Sequence, residues 1–186
     1  MTVTPPAKWK VKSTCLVVDH QWAKVRQDVV ELPNGDILDD YYYWEGSDFA
    51  QVFALTAECK VILVRQYKHG VKEIVLELPA GMIESVDADP LVTAQRELLE
   101  ETGFEAETWQ SLGVLHVSSA KATTRAYPFL AQNAQWIHSP TLDDAEDIQV
   151  TFCSIPELLN LIAEGSIRDA NSIATCFKAL QALERI

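Results

Sequence analysis

The order of hydrophobic patterns along this chain predicts a layered α/β (α+β) domain: many strands, one helix, more strands, then two helices. Three observations carry that prediction. Val61-Ile62-Leu63-Val64 is a continuous apolar run, the character of a strand covered on both faces. Asp89-Pro90 and Gly103 bracket a segment of helical periodicity, with Asp at the N-cap, Pro at the first turn and Gly just past the end. Beyond Cys153 two further amphipathic segments follow, capped by Ser154 and by Asp169 or Asn171. At 186 residues the chain is long enough for one well-buried core.

Residues 1–12 are polar and contain Pro5-Pro6, an arm leading into the first strand. Thr14–Asp19 and Ala23–Leu32 alternate as strands do. Pro33-Asn34-Gly35-Asp36 is a turn, because Asn and Gly tolerate positive φ. Ile37–Trp44 then returns as the second half of a hairpin. Along it Tyr41, Tyr42, Tyr43 and Trp44 point alternately to two faces. One face packs inward. The other is open to a partner subunit or to a flat ligand such as adenine, with Tyr42 the candidate contact.

Gln51–Thr56 and Lys60–Gln66 form a second candidate hairpin around Ala57-Glu58-Cys59. It runs into Arg65-Gln66-Tyr67-Lys68-His69-Gly70, positive charge beside an aromatic. That is a candidate phosphate clamp, since Arg grips phosphate oxygens in a bidentate fork. Glu73–Leu78 is a further strand and delivers Leu78-Pro79-Ala80-Gly81 to the helix. Trp109–Val117 and Ala126–Gln132 are expected in the same core, separated by the small polar stretch 118–125, and Ile148–Cys153 is the last strand. The C-terminal helices carry Ile155, Leu158, Leu159 and Ile162, stopped by Gly165, then Ile173, Phe177, Leu180 and Leu183 on one face.

The helix from Pro90 to Thr102 buries Leu91, Ala94, Leu98 and Thr102. At about 100° per residue, Glu97, Glu100 and Glu101 fall within an arc of about 100°. Carboxylates so crowded repel one another and raise one another's pKa. A hard cation relieves the conflict, and oxygen ligands suit Mg²⁺ or Mn²⁺. Taken alone, such a cluster reads first as a solvated acidic face, which is what most Glu clusters on helices are. The same two readings hold for Asp143-Asp144-Ala145-Glu146-Asp147, where a base or an extra ligand would sit.

A formal net charge of −12 argues against nucleic-acid or anionic-membrane partners. It also means that a polyphosphate substrate needs metal ions or local Lys and Arg to be held. Cys15, Cys59, Cys153 and Cys176 form no Cys-x-x-Cys pair and are expected as reduced, mostly buried thiols. No stretch approaches the roughly 18 apolar residues of a membrane span. The N-terminal sequence lacks the apolar run of a signal peptide, so a cytoplasmic location is expected.

Leu78-Pro79-Ala80-Gly81 followed by Arg96-Glu97-Leu98-Leu99-Glu100-Glu101-Thr102-Gly103-Phe104 resembles the signature of the Nudix hydrolases, G-x5-E-x7-R-E-U-x-E-E-x-G-U with U aliphatic. Two departures stand out. Gly81 lies fifteen residues before Arg96 where the pattern has fourteen, and, counting back from Arg96, Ala88, between Asp87 and Asp89, takes the place of the first Glu. Leu32-Pro33-Asn34-Gly35, Val64–Gly70, Glu77–Glu84 and Glu146-Asp147-Ile148 extend the likeness to the ADP-ribose pyrophosphatase branch, over roughly residues 25–180.

The resemblance implies an α/β/α sandwich (residues 48–186) preceded by a small antiparallel β subdomain (residues 1–47), and a homodimer whose N-terminal strands help form the partner's site. It implies metal ions held by the carbonyl of Ala80 and by Glu97, Glu100 and Glu101, with Glu146 reaching metal through water. Asp144 occupies the place of a general base, where the branch often has Glu; Arg65 or Lys68 would bind phosphate. The implied reaction is metal-dependent hydrolysis of the diphosphate linkage of a nucleoside diphosphate sugar, ADP-ribose giving AMP and ribose 5-phosphate. Glu146, Asp144 or a helix glutamate such as Glu100 or Glu101 would take the proton of the attacking water. The alternatives are another nucleotide sugar such as GDP-mannose, a nucleoside polyphosphate, or a Nudix-fold regulator that binds without cleaving. Ser118-Ser119-Ala120 stands where many members have Ser-Pro-Gly, so the loop toward the terminal ribose is expected to be shaped differently.

Overall fold

The computed structural model describes residues 5–142 and 147–185, which fall into two units. One runs to Ser47 and includes His116–Thr124; the other comprises Asp48–Leu115 and the chain from Arg125 onward.

In the first unit β1 (Lys10–His20), β2 (Ala23–Glu31) and β3 (Ile37–Trp44) form an antiparallel sheet in that order. The turn expected at Asn34-Gly35 sets the hairpin: Gly35 adopts φ +91 and its N–H donates to Leu32 O at 2.9 Å. Register follows, pairing Glu31 with Ile37 and Val25 with Trp44. The aromatic alternation holds, with Tyr41 and Tyr43 half-buried and Tyr42 and Trp44 exposed. Tyr41 meets Trp9 edge-on at 5.6 Å and lies under Lys121 Nζ at 4.9 Å. The segment 116–124 joins this unit through its backbone: Trp44 N–H donates to Lys121 O at 2.8 Å, and Thr123 N–H to Trp44 O at 2.9 Å. Much apolar surface remains open on it, including Val11, Val17, Trp22 and Ile37.

The rest of the chain runs β4 (Phe49–Thr56), β5 (Val61–Lys68), β6 (Glu73–Glu77), β7 (Ala80–Met82), α1 (Pro90–Thr102), β8 (Phe104–Glu105), β9 (Thr108–Ser111), β10 (Leu115–His116), β11 (Arg125–Trp136), β12 (Gln149–Cys153), α2 (Ile155–Ala163) and α3 (Ala170–Ala182). β4 is central, parallel to β11 on one side and antiparallel to β5 on the other, and β5 pairs with β12. β6 adds to β5, and β7 to the start of β4. Successive residues of β4 serve opposite layers. Phe53 and Leu55 pack with Leu63, Leu158, Cys176 and Leu180; Val52 and Ala54 pack with Ile62, Phe129, Ala94 and Leu98. So α1 covers one face, and α2 with α3 the other. This is the α/β/α sandwich, and each fully buried large side chain in it contributes about 1.5–3 kcal/mol. No helix among the described residues is long and apolar enough to cross a membrane.

Several expected elements differ in detail. Trp109–Val117 is not one strand: β9 ends at Ser111, and Gly113 at φ +91 breaks the extension. β11 runs on to Trp136, because a bulge at Asn133 (φ +56) shifts register between Ala131 and Ala134 and hides the alternation. On α2, Leu158 is buried but Leu159 is exposed. On α3, Phe177 is 58% exposed, while Ser172, Thr175 and Cys176 face the core. They can do so because their polar atoms are satisfied: Gln51 Nε2 donates to Ser172 Oγ at 3.1 Å, Thr175 Oγ1 to Gln51 Oε1 at 2.8 Å, and Leu78 N–H to Ser172 Oγ at 3.1 Å. The thiols are all free, but only Cys153 and Cys176 are buried, with pKa values pushed up by burial to about 11 and about 12; Cys15 and Cys59 are exposed.

Candidate functional site

The ends of α1 are fixed as its sequence requires. Asp89 accepts from Leu91 N–H at 2.8 Å and Val92 N–H at 3.2 Å, and Gly103, at φ +76, donates to Leu99 O at 2.8 Å. Between these caps Glu97 and Glu101 stand one turn apart and face the turn that opens β7. Ala80 N–H donates to Glu101 Oε2 at 3.1 Å, and Glu101 is only 3% exposed. Gly81 lies against Glu97 so closely that a Cβ would overlap its carboxylate. A side chain there would displace that carboxylate.

Arg96 ties the remaining groups together. Its Nη1 donates to Glu97 Oε1 at 2.7 Å and to Glu100 Oε2 at 2.9 Å. Nη2 donates to Met82 O at 3.2 Å and to Asp87 Oδ2 at 3.1 Å. Burial works against the guanidinium charge, yet the bond to Asp87, the charge of Glu97 and the bond to Glu100 together hold it more firmly protonated than a free arginine. The effect is mutual: hydrogen bonding from Arg96, helped by Glu84 N–H and Thr93, brings Asp87 down to about 2.

Ala80 thus meets Glu101 through its N–H, Gly81 meets Glu97, and Glu100 is joined to Glu97 through Arg96. Tyr42 lies in the first unit, exposed, its carbonyl accepting from Lys121 Nζ at 3.4 Å. Lys68 is already paired with Glu77 at 3.0 Å, across a cleft of about 490 Å³ that Glu73, Arg168 and Asp169 also line and that none of the helix glutamates reaches. Burial raises the pKa of Glu77, and the charge of Lys68 partly offsets that. Arg65 is exposed on β5 and makes no ion pair among the described residues. Asp144 and Glu146 lie outside the described residues. Sequence reasoning missed Asp87 by counting the signature back from Arg96, which points at Ala88; counted forward from Gly81, G-x5 lands on Asp87, and that was the available signal.

The donors fit a hard divalent cation in kind: carboxylate oxygens against a glycine-backed turn. Among the described residues no three His, Cys, Asp or Glu side chains form a ready metal set, and the positive charge between Glu97 and Glu100 is that of Arg96.

Residues 49–176 match the family model described as NUDIX domain, and residues 9–44 that of the nucleoside diphosphate sugar hydrolase N-terminal domain. A methanol dehydrogenase activator of Bacillus methanolicus is 32% identical over 151 residues, covering 81% of this chain and 80% of that protein. An ADP-ribose pyrophosphatase of Bacillus subtilis is 31% identical over 144 residues, 77% of each. A crystal structure of an ADP compounds hydrolase superposes with a TM-score of 0.84 over 99% of this chain and 100% of that one; at 20% identity it speaks for the fold alone.

Proposed function

Because the chain belongs to the Nudix hydrolase family, we propose that it cleaves the diphosphate linkage of a nucleoside diphosphate sugar, ADP-ribose in the first instance, releasing AMP and ribose 5-phosphate. The observation that carries this reading is the closure of Ala80-Gly81 on Glu97 and Glu101, with Glu100 reached through Arg96. The match of residues 9–44 to a nucleoside diphosphate sugar hydrolase domain supports the substrate class.

In this reading Glu97, Glu100, Glu101 and the Ala80 carbonyl hold Mg²⁺ or Mn²⁺. When bound, such ions neutralise the diphosphate and lower the pKa of water. The chain's own groups do the rest. Ala80 N–H fixes one oxygen of Glu101, so its other oxygen keeps a set direction. Arg65, which makes no ion pair among the described residues, is a better candidate to take phosphate than Lys68, which is paired with Glu77. Glu146 or Asp144 would accept the proton of the attacking water. The exposed apolar residues of β1–β3 favour a second copy as their cover, so a homodimer belongs to the same proposal.

The test is phosphate-coupled turnover with Mg²⁺ and Mn²⁺, with and without chelator, on ADP-ribose, GDP-mannose, UDP-glucose, NADH and diadenosine polyphosphates. Selective, chelator-sensitive cleavage of ADP-ribose is expected. The name of the Bacillus methanolicus relative favours a second reading, a regulator that binds nucleotide and acts on another enzyme. Silence across the panel, with nucleotide still raising Tm, would replace the first reading by that one.

A further inference from the structure

Two aspartates flank Ala88, and the structure separates their tasks. Asp89 is taken up by the start of α1. Asp87 turns toward Arg96, its side chain only 3% exposed. It accepts from Glu84 N–H at 3.0 Å, Thr93 Oγ1 at 2.9 Å, Arg96 Nη2 at 3.1 Å and, more weakly, Arg96 Nε at 3.5 Å. In the same turn Asp87 N–H donates back to Glu84 O at 3.1 Å, and Val86 stands exposed at its tip.

A guanidinium is planar and its five donors are fixed relative to one another. Holding its Nε/Nη2 edge therefore aims the remaining corner. That corner, Nη1, is what meets Glu97 and Glu100. The geometry points to Asp87 as the positioning residue of this site: it clamps Arg96, and Arg96 sets the direction and charge balance of Glu97 and Glu100. Nothing at position 88 is needed for this.

With Asp87 neutral, the guanidinium charge falls wholly on Glu97 and Glu100, and an incoming cation must compete with it. Partners that orient metal ligands typically change metal affinity about 10- to 100-fold. The inference rests on reading Glu97 and Glu100 as metal carboxylates, and the experiment keeps the two claims apart.

Mn²⁺ is titrated into the full-length protein without substrate, free Mn²⁺ being followed by electron paramagnetic resonance. The variants are Asp87→Asn, Asp89→Asn, Arg96→Met and the double variant D87N/R96M, beside Glu97→Gln and Glu100→Gln. D87N is expected to weaken Mn²⁺ binding about tenfold or more. D89N removes the same charge but retains a capping oxygen, and should change binding less than about twofold. In the R96M background D87N should add less than about twofold, since residues acting as one unit are not additive. Unchanged binding in D87N overturns the inference, even where Tm falls. So does an equal loss in D89N, which would mean bulk charge, or a loss undiminished without Arg96. Should D87N not fold, Asp87→Glu replaces it: a longer side chain cannot hold both the Glu84 amide and the guanidinium edge, and unchanged affinity would again overturn the idea. If E97Q and E100Q also leave Mn²⁺ binding intact, the metal reading itself falls; if only they lose it, the role of Asp87 alone is refuted.

Discussion

Gly81→Ala adds one methyl group where the turn meets α1, and the structure says which neighbour must give way. The atoms that a Cβ would overlap are those of the Glu97 carboxylate, the mobile end of a side chain, not backbone. To regain a normal contact the carboxylate must retreat by about 1.5–2 Å. Doing so strains or breaks its 2.7 Å bond from Arg96. A charged hydrogen bond contributes about 1.5–3 kcal/mol. Against that, Gly81 is not at positive φ, so alanine restricts the unfolded chain and returns about 0.4–1 kcal/mol. The net cost in stability is therefore about 1–2 kcal/mol. Misplacing a catalytic group by 1 Å costs about 10²-fold in rate, equivalent to about 2.7 kcal/mol in the barrier. We expect kcat on ADP-ribose to fall about a hundredfold or more while urea unfolding moves modestly. A kcat within about threefold of wild type, or a stability loss above about 4 kcal/mol, would refute the reasoning. The first outcome would mean Glu97 does not act from where it stands; the second, that the backbone and not the carboxylate yields.

Glu100→Gln and Glu101→Gln should each lower kcat by orders of magnitude with circular dichroism unchanged, since glutamine keeps an acceptor for Ala80 N–H but loses the charge; near-normal turnover would sink the assignment. Asp87, bonded to Arg96, has a folded pKa of about 2, below the unfolded value of about 3.9. Its contribution is thus complete above about pH 4 and is lost as pH falls toward 2. Urea midpoints of wild type and D87N should accordingly converge over that interval and stay parallel above pH 5. A thiol reagent should find two groups, Cys15 and Cys59, in the native protein and all four in urea, because Cys153 and Cys176 are buried and hard to ionise.

What the sequence made legible was governed by local chemistry. Asp89, Pro90 and Gly103 specify both ends of α1, and Asn34-Gly35 specifies a hairpin, because caps and turns are decided within a few residues. The spacing of Glu97, Glu100 and Glu101 brought the acidic groups of the site into view for the same reason. The failures were long-range. Nothing near Asn133 announces that β11 continues past it, since a bulge is stabilised by the neighbouring strands. Ser172 and Thr175 break the apolar pattern of α3, yet face inward because Gln51, more than a hundred residues earlier, satisfies them. Asp87 was hidden by the end from which the motif was counted: back from Arg96 the first acid falls on Ala88, forward from Gly81 it falls on Asp87, the acid that the guanidinium meets.

The bond from Leu78 N–H to Ser172 Oγ has a consequence for how the molecule breathes. Leu78 lies just past β6, at the head of the turn that carries Ala80 and Gly81, and its amide hydrogen is held by a helix from the far end of the chain. That hydrogen can exchange with solvent only when α3 lifts from the sheet. The Ala80-Gly81 turn is thereby coupled to the opening of the C-terminal helix, and loosening α3 would loosen the floor beneath Glu97 and Glu101 without touching either of them.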